Sequence, residues 1–222
     1  MNTLNHYPTG LIKICGLTRA EDVVMCAAAG ADWLGFIFHP RSPRSVSPQA
    51  VAGFDSGRAK RVGIFVNQRP EEVLAVMREA RLDLAQLHGG QDENFIRRIG
   101  ADRVISVHWP EKYQSPSEMR PDLEEKRSAA FHLFDAGAAG GGHGRRLDLS
   151  FLRDLNPPGP WLLAGGLNAE MVESLELKGL KGLAGFDFNS GLEDQPGRKN
   201  ESKVRAAAAV ARKVLNLYYQ GF

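Results

Sequence analysis

The chain has 222 residues, of which 43% are hydrophobic and 24% charged, so it can bury a sizeable core and stay in solution. A formal net charge of +2 is too small to make nucleic acid its main partner, and no run reaches the roughly 18 apolar residues of a membrane span. The start, Met1-Asn2-Thr3-Leu4-Asn5-His6, lacks a targeting pattern, and two cysteines, Cys15 and Cys26, make no disulfide framework and imply a reducing, cytoplasmic setting.

The first apolar run, Leu11–Cys15, reads as a strand closed by Lys13-Ile14-Cys15-Gly16. Thr18 followed by Glu21 has the spacing of a capping box and predicts a helix over Arg19–Ala29. A cysteine at such a strand end either meets a ligand or fills the core as a small hydrophobe; Cys26, among Met25, Ala27 and Ala28 on the helix, reads as core filler. Further strands are predicted at Trp33–Phe38, Arg61–Val66, Leu82–Leu87, Arg103–Val107, Phe131–Asp135, Trp161–Ala164 and Leu183–Phe188. Helices are predicted between and after them at Gln49–Ser56, Pro70–Ala80, Gln91–Ile99, Ser117–Lys126, Leu149–Leu155, Ala169–Lys178 and Glu201–Leu215. The aromatic-polar tail from Leu215 to Phe222, native or appended, is left out of the functional reading.

Strands alternating with helices imply a parallel sheet, because parallel neighbours need crossover connections. The length suits an α/β barrel, which runs to about 200–250 residues as one domain. The expected architecture is a single-domain (β/α)8 TIM barrel spanning 1–222, with the barrel proper at about 11–214. An open doubly wound sheet is the alternative, but no Gly-x-Gly-x-x-Gly follows the first strand.

A barrel of this kind gathers its active site at the C-terminal ends of its strands. Each predicted end carries a polar oddity. They are Cys15, the stretch His39–Arg44, Asn67-Gln68, Gln86 with His88, His108, Asp135, Gly165-Gly166 and Asn189-Ser190-Gly191. The glycine-rich turns after strands seven and eight stand where barrels commonly hold phosphate, although glycines also make tight turns for their own sake. Gly140 to Arg145 offers a lid over the same anion.

Period-two alternation puts Leu11, Lys13 and Cys15 on one face and Phe131, Leu133 and Asp135 on one face. If both faces point inward, a thiolate and a carboxylic acid stand across one mouth as a base–acid pair. The base requires surroundings that lower the thiol's free pKa of ~8.5, and the acid requires a raised carboxyl pKa. Asp135 otherwise serves as a cap or a surface acid. Lys13 inside a barrel needs a countercharge, and Asp187 on the adjoining last strand is the predicted partner. Arg41 and Arg44 carry forks suited to a substrate carboxylate, and either is alternatively a solvated loop charge. His88 beside Gln86 either orients substrate or is structural. No metal-ligand spacing such as His-x-x-x-His or Cys-x-x-Cys occurs.

Lys13–Gly16, Gly35–Phe38 with Ser42–Pro48, Val62–Asn67, Gln86–Gly89, Leu133–Asp135, Gly141–Gly144, Ala164–Leu167 and Phe188–Glu193 occur in that order. As an ordered series over about 11–214 they closely resemble the phosphoribosylanthranilate isomerase family of tryptophan biosynthesis. The resemblance implies a TIM barrel without metal or organic cofactor. It implies an Amadori rearrangement of N-(5-phosphoribosyl)anthranilate to 1-(2-carboxyphenylamino)-1-deoxyribulose 5-phosphate. In that reading Asp135 protonates the furanose ring oxygen, Cys15 removes the C2 proton, and Arg44 lies near the anthranilate carboxylate. Gln86 and His88 would line the substrate site, and Gly142, Gly165, Gly166, Ser190 and Gly191 would grip the phosphate. His143 and Arg145 depart from the small hydroxyl and lysine of the family lid, and polar residues from Glu111 to Pro121 lengthen the fifth loop. The partner is then a small phosphoribosyl substrate, with the chain a monomer or a homodimer. Another phosphate-binding barrel enzyme, such as a sugar-phosphate epimerase or synthase, and a non-catalytic phosphosugar-binding module are the competing readings.

Overall fold

Eight parallel strands close on themselves in sequence order: β1 (Leu11–Ile14), β2 (Trp33–Ile37), β3 (Lys60–Phe65), β4 (Leu84–Leu87), β5 (Val104–His108), β6 (Phe131–Asp135), β7 (Trp161–Ala164) and β8 (Leu183–Phe188). The computed structural model describes residues 9–135 and 149–221. The last strand pairs back on the first with Lys13 opposite Asp187, which completes the barrel. Around it lie α1 (Ala20–Ala28), α2 (Pro48–Ala52), α3 (Pro70–Glu79), α4 (Glu93–Ile99), α5 (Pro116–Glu125), α6 (Ser150–Leu155), α7 (Ala169–Glu173) and α8 (Glu201–Gln220). A small antiparallel hairpin, β9 (Glu193–Gln195) and β10 (Arg198–Lys199), follows the last barrel strand.

Alternation along the strands separates two cores. Leu11, Trp33, Val62, Leu84, Ile105 and Phe131 fill the barrel interior, where Trp33 and Phe131 meet edge to face at 4.8 Å. Residues one position along, such as Ile12, Leu34, Phe134 and Phe186, point outward and pack under the helices. Strands buried on both faces carry near-continuous apolar runs, which is why they stand out in the sequence.

Several local expectations fail for identifiable reasons. Thr18 caps nothing: its Oγ1 donates to Gly197 O at 2.7 Å, and α1 begins after Arg19 without a side-chain cap. Leu82 and Asp83 precede β4, since Leu82 N bonds Met77 O and the Asp83 carboxylate accepts from Arg61 N. α2 stops at Ala52 because the Arg61 guanidinium takes Val51 O and Phe54 O from the segment that would continue it. α7 stops at Glu173, where Ser174 Oγ donates to Met171 O at 2.8 Å. Much of the stretch expected to lengthen the fifth loop belongs to α5, which opens at Pro116. The tail set aside in the sequence is integral: α8 continues to Gln220, and the hydroxyls of Tyr218 and Tyr219 donate to Leu180 O and Leu183 O at 2.7 Å each. Cys26 is fully buried in the outer core, as expected.

His108 also departs from expectation. Although it ends β5, its ring faces outward, away from the barrel mouth, towards α5. Nδ1 lies 3.1 Å from Asp122 Oδ2, and Nε2 lies 3.0 Å from His132 Nδ1, with Lys126 Nζ 2.5 Å from the other Asp122 oxygen. The network joins β5, β6 and α5 beneath a fully buried surface at His132. Burial holds the His132 imidazole neutral, with its pKa down from 6.5 to about 3, and burial also lowers that of His108.

The unfolded chain therefore binds the extra proton throughout the interval from pH 6.5 down to about 3, and stability is lost as pH falls through that window. The loss at His132 alone comes to about 2 kcal/mol between pH 7.5 and pH 5, at ~1.4 kcal/mol per pKa unit. Urea denaturation at those two values should show this difference in the parent chain and a smaller one in His132→Asn.

Candidate active site

A cavity of about 500 Å³ opens at the C-terminal ends of the barrel strands. Cys15, one residue past β1, and Asp135, the last residue of β6, both line it, so the strands deliver the predicted thiol and carboxyl to one mouth. Gln86 and His88 reach it from β4, and Gly165, Gly166 and Ser190 from the turns after β7 and β8. Gly165 and Gly166 take φ values of +119° and +66°, a backbone that side chains other than glycine's rarely allow. Gly35 on β2 serves closeness instead: a Cβ there would lie 2.8 Å from Cys15 Sγ.

The floor of the cavity is an ion pair. Lys13 Nζ stands 2.8 Å from Asp187 Oδ2, as the sequence predicts, with Lys13 fully buried. Burial pulls the ammonium down, but the charge and hydrogen bond of Asp187 outweigh it and raise its pKa, so Lys13 is held charged. Asp187 is its partner carboxylate at bonding distance, and the Cys15 thiol stands beside the pair. Asp187 Oδ1 and Gln86 Oε1 are buried cavity-lining acceptors with no partner among the described residues.

The thiol does not behave as expected. Burial raises the Cys15 pKa by more than Lys13 and Lys199 lower it, so in this site it rests as the thiol. The electropositive surroundings are present, but burial of the sulfur costs a thiolate more than they return. His88 is likewise held neutral by burial, against the pull of Asp135; its ring meets Trp109 edge-on at 5.2 Å.

Three predicted site residues stand apart from the cavity wall or outside the described chain. Gly191 is not on the cavity wall; a Cβ there would come within 2.2 Å of Leu167 O, so only glycine allows the turns after β7 and β8 to approach this closely. The Arg44 guanidinium is engaged by Glu193, with Nε 2.9 Å from Oε1 and Nη2 2.5 Å from Oε2, beside Gly16 at the rim. Gly142, with His143 and Arg145, falls outside the described residues.

His39, Ser42 and Asn189, which the sequence set at strand ends without a role, line the cavity, as does Asp187, anticipated only as a countercharge. Sequence reasoning missed Lys199 and its tie to Glu193. Lys199 Nζ reaches Asn189 Oδ1 at 3.0 Å and Glu193 Oε1 at 2.9 Å. The signal for that pair was the Pro196-Gly197 turn, which folds β10 back on β9 and sets Lys199 opposite Glu193. Among the described residues no group of three or more His, Cys, Asp or Glu side chains is arranged to hold a metal ion, and no helix is long and apolar enough to cross a membrane.

Residues 12–209 match the family described as N-(5′phosphoribosyl)anthranilate (PRA) isomerase. The chain is 52% identical over 211 residues to an N-(5′-phosphoribosyl)anthranilate isomerase of Desulfovibrio desulfuricans, covering 91% of this chain and 96% of the relative. Among solved structures, phosphoribosyl anthranilate isomerase from Thermotoga maritima superposes with a TM-score of 0.78 at 32% identity, covering 91% of this chain and 98% of that one. A phosphoribosyl anthranilate isomerase in complex with reduced 1-(o-carboxyphenylamino)-1-deoxyribulose 5-phosphate superposes at 0.74 with 30% identity, over 91% of this chain and 98% of that one.

Removing one member of the buried pair leaves the other unpaired, at a cost of about 3–5 kcal/mol. Lys13→Met should lower the urea-derived stability by that amount. The double variant Lys13→Met/Asp187→Leu should recover most of it; an additive loss in the double variant would show that the two side chains do not interact.

Proposed function

The chain belongs to the N-(5′-phosphoribosyl)anthranilate isomerase family and is an isomerase; from that premise we propose that it converts N-(5-phosphoribosyl)anthranilate into 1-(2-carboxyphenylamino)-1-deoxyribulose 5-phosphate, with Cys15 as base and Asp135 as acid. The observation that carries this assignment is the meeting of one thiol and one carboxyl at opposite sides of a single cavity above a buried ammonium. Asp135 gives its proton to the furanose ring oxygen, the C1–O bond breaks, and the anilino nitrogen lone pair forms the C1=N iminium. Cys15, as thiolate, takes the C2 proton, and the C2–H electron pair becomes the C1=C2 bond of a neutral enolamine. As the enolamine becomes the ketone, C1 takes up one proton and the 2-hydroxyl gives one up, so base and acid return to their starting forms.

The raised thiol pKa suits this step. A base with a high pKa is scarce near neutrality but strong once formed, and general acid–base efficiency depends on both quantities. Lys13, close to Cys15, is the group whose charge favours the thiolate when the proton leaves. The turns carrying Gly165, Gly166 and Ser190 offer backbone N–H groups to the phosphate. Asp187 Oδ1 and Gln86 Oε1 face the cavity as acceptors, which suits the hydroxyl groups of a sugar. Arg44 supplies the anthranilate carboxylate with a guanidinium fork. Two buried, unpaired cysteines fit a cytoplasmic setting.

The test is a fluorescence assay with phosphoribosylanthranilate generated in situ, its decay followed with the purified chain in the presence of a chelator. Accelerated loss to the ribulose product is expected. Cys15→Ser and Asp135→Asn should each lower kcat by about 100-fold or more, the usual scale for acid–base groups. Inhibition by inorganic phosphate should be little altered in both, and parent-like turnover in either would remove that residue from the mechanism.

The kcat/KM profile of the parent should keep rising above neutrality, because a base with a raised pKa gains its active form with increasing pH. Cys15→Ser should lose that limb.

A further inference from the structure

Glu193 takes no part in the proton transfers, yet it is nearly buried beside the cavity and accepts from four separate donors. They are Nε and Nη2 of Arg44, Nζ of Lys199 and the backbone N–H of Gly197. Arg44 comes from the loop after β2, whereas Lys199 comes from the hairpin after β8 and also holds the cavity-lining Asn189 through both its carbonyl and side-chain oxygens. One carboxylate thus fixes two loops that meet at the rim. It lies between two cations, each within ion-pair distance.

The geometry at Arg44 is specific. A guanidinium has five N–H donors in a rigid plane. Glu193 takes the side formed by Nε and Nη2, so the other edge, formed by Nη1 and Nη2, is turned away from it. That edge is a second fork of the kind that meets a carboxylate with parallel hydrogen bonds. An unheld arginine would have to give up side-chain freedom on binding, whereas one already clamped has little left to lose.

We propose that Glu193 is a positioning residue that aims the outer fork of Arg44 at the aromatic carboxylate of the substrate, and so sets selectivity for a 2-carboxylated aniline over an uncarboxylated one. The inference rests on the isomerase reading above.

It is tested by calorimetric titration of two ligands, 1-(2-carboxyphenylamino)-1-deoxyribulose 5-phosphate and its counterpart lacking the carboxylate. Glu193→Gln should weaken the carboxylated ligand by about 10- to 100-fold, the range for losing one hydrogen bond to a charged group, and leave the other unchanged. Arg44→Ala should show the same selective loss, and the double variant little more. Equal weakening of both ligands would reduce Glu193 to a structural brace; an unchanged or tighter carboxylated complex would also overturn the proposal. Should Glu193→Gln fold poorly, Arg44→Lys gives the same reading, since an ammonium keeps the charge without the fork. Retained selectivity in Arg44→Lys would overturn the proposal. If the parent neither turns over phosphoribosylanthranilate nor binds either ligand, the isomerase reading fails and this inference with it. Failure confined to the carboxylate discrimination leaves the isomerase reading standing.

Discussion

A charged lysine in the middle of a barrel has to be answered from inside the barrel. Lys13 has no route to water, and an ammonium taken out of water costs several kcal/mol unless a partner returns most of it. The partner arrives through barrel closure: β8 docks on β1 in the register that sets Asp187 opposite Lys13. A slip of one residue would turn Asp187 outward and bring an adjacent phenylalanine, Phe186 or Phe188, inward. The ion pair and the closing register thus specify each other, even though an apolar pair would pack there at less cost.

The pair acts upward. Trp33, opposite Lys13 on β2, meets Phe131 edge to face and gives the interior an aromatic wall, so the field of Lys13 is little screened from that side. Above it stand Cys15 and the open cavity. The same burial that strengthens the influence of Lys13 on the thiol also penalises the thiolate, and burial wins in the resting site. The outcome is a neutral thiol with an ammonium close beneath it.

The strand pattern made the barrel legible because period two in the interior and near-continuous apolar runs are both direct consequences of burial. Lys13 with Asp187 could be paired from the sequence because a buried charge demands a partner and closure leaves few candidates. Thr18 and His108 were misread for one shared reason. Each has a local motif or position that suggests one role, while a distant group, Gly197 O for one and Asp122 for the other, supplies a better hydrogen bond. The tie of Glu193 to Arg44 was illegible for the same kind of reason, because the loop after β2 and the hairpin after β8 meet only once the barrel has closed. The thiol's direction was missed because spacing reports which charges are near, but not how little water remains.

Hydrogen-bonding side chains, rather than apolar packing, hold the mouth together, and the cavity itself explains why. Loops around an open pocket cannot fill it with hydrophobic side chains without destroying it, so their geometry has to come from directional bonds. Gln68 accepts from Val66 N after β3 while its amide donates to Phe38 O after β2. Gln91 repeats the arrangement one strand on, accepting from Gly89 N and donating to Val66 O at 2.9 Å. An amide serves because it carries donor and acceptor together and so ties two neighbouring backbones with one side chain. Between the loops after β8 and β2 the tie is ionic: Glu193 between Arg44 and Lys199. Neutral ties on one side and an ionic one on the other give the mouth an electrostatic asymmetry that apolar packing would not supply.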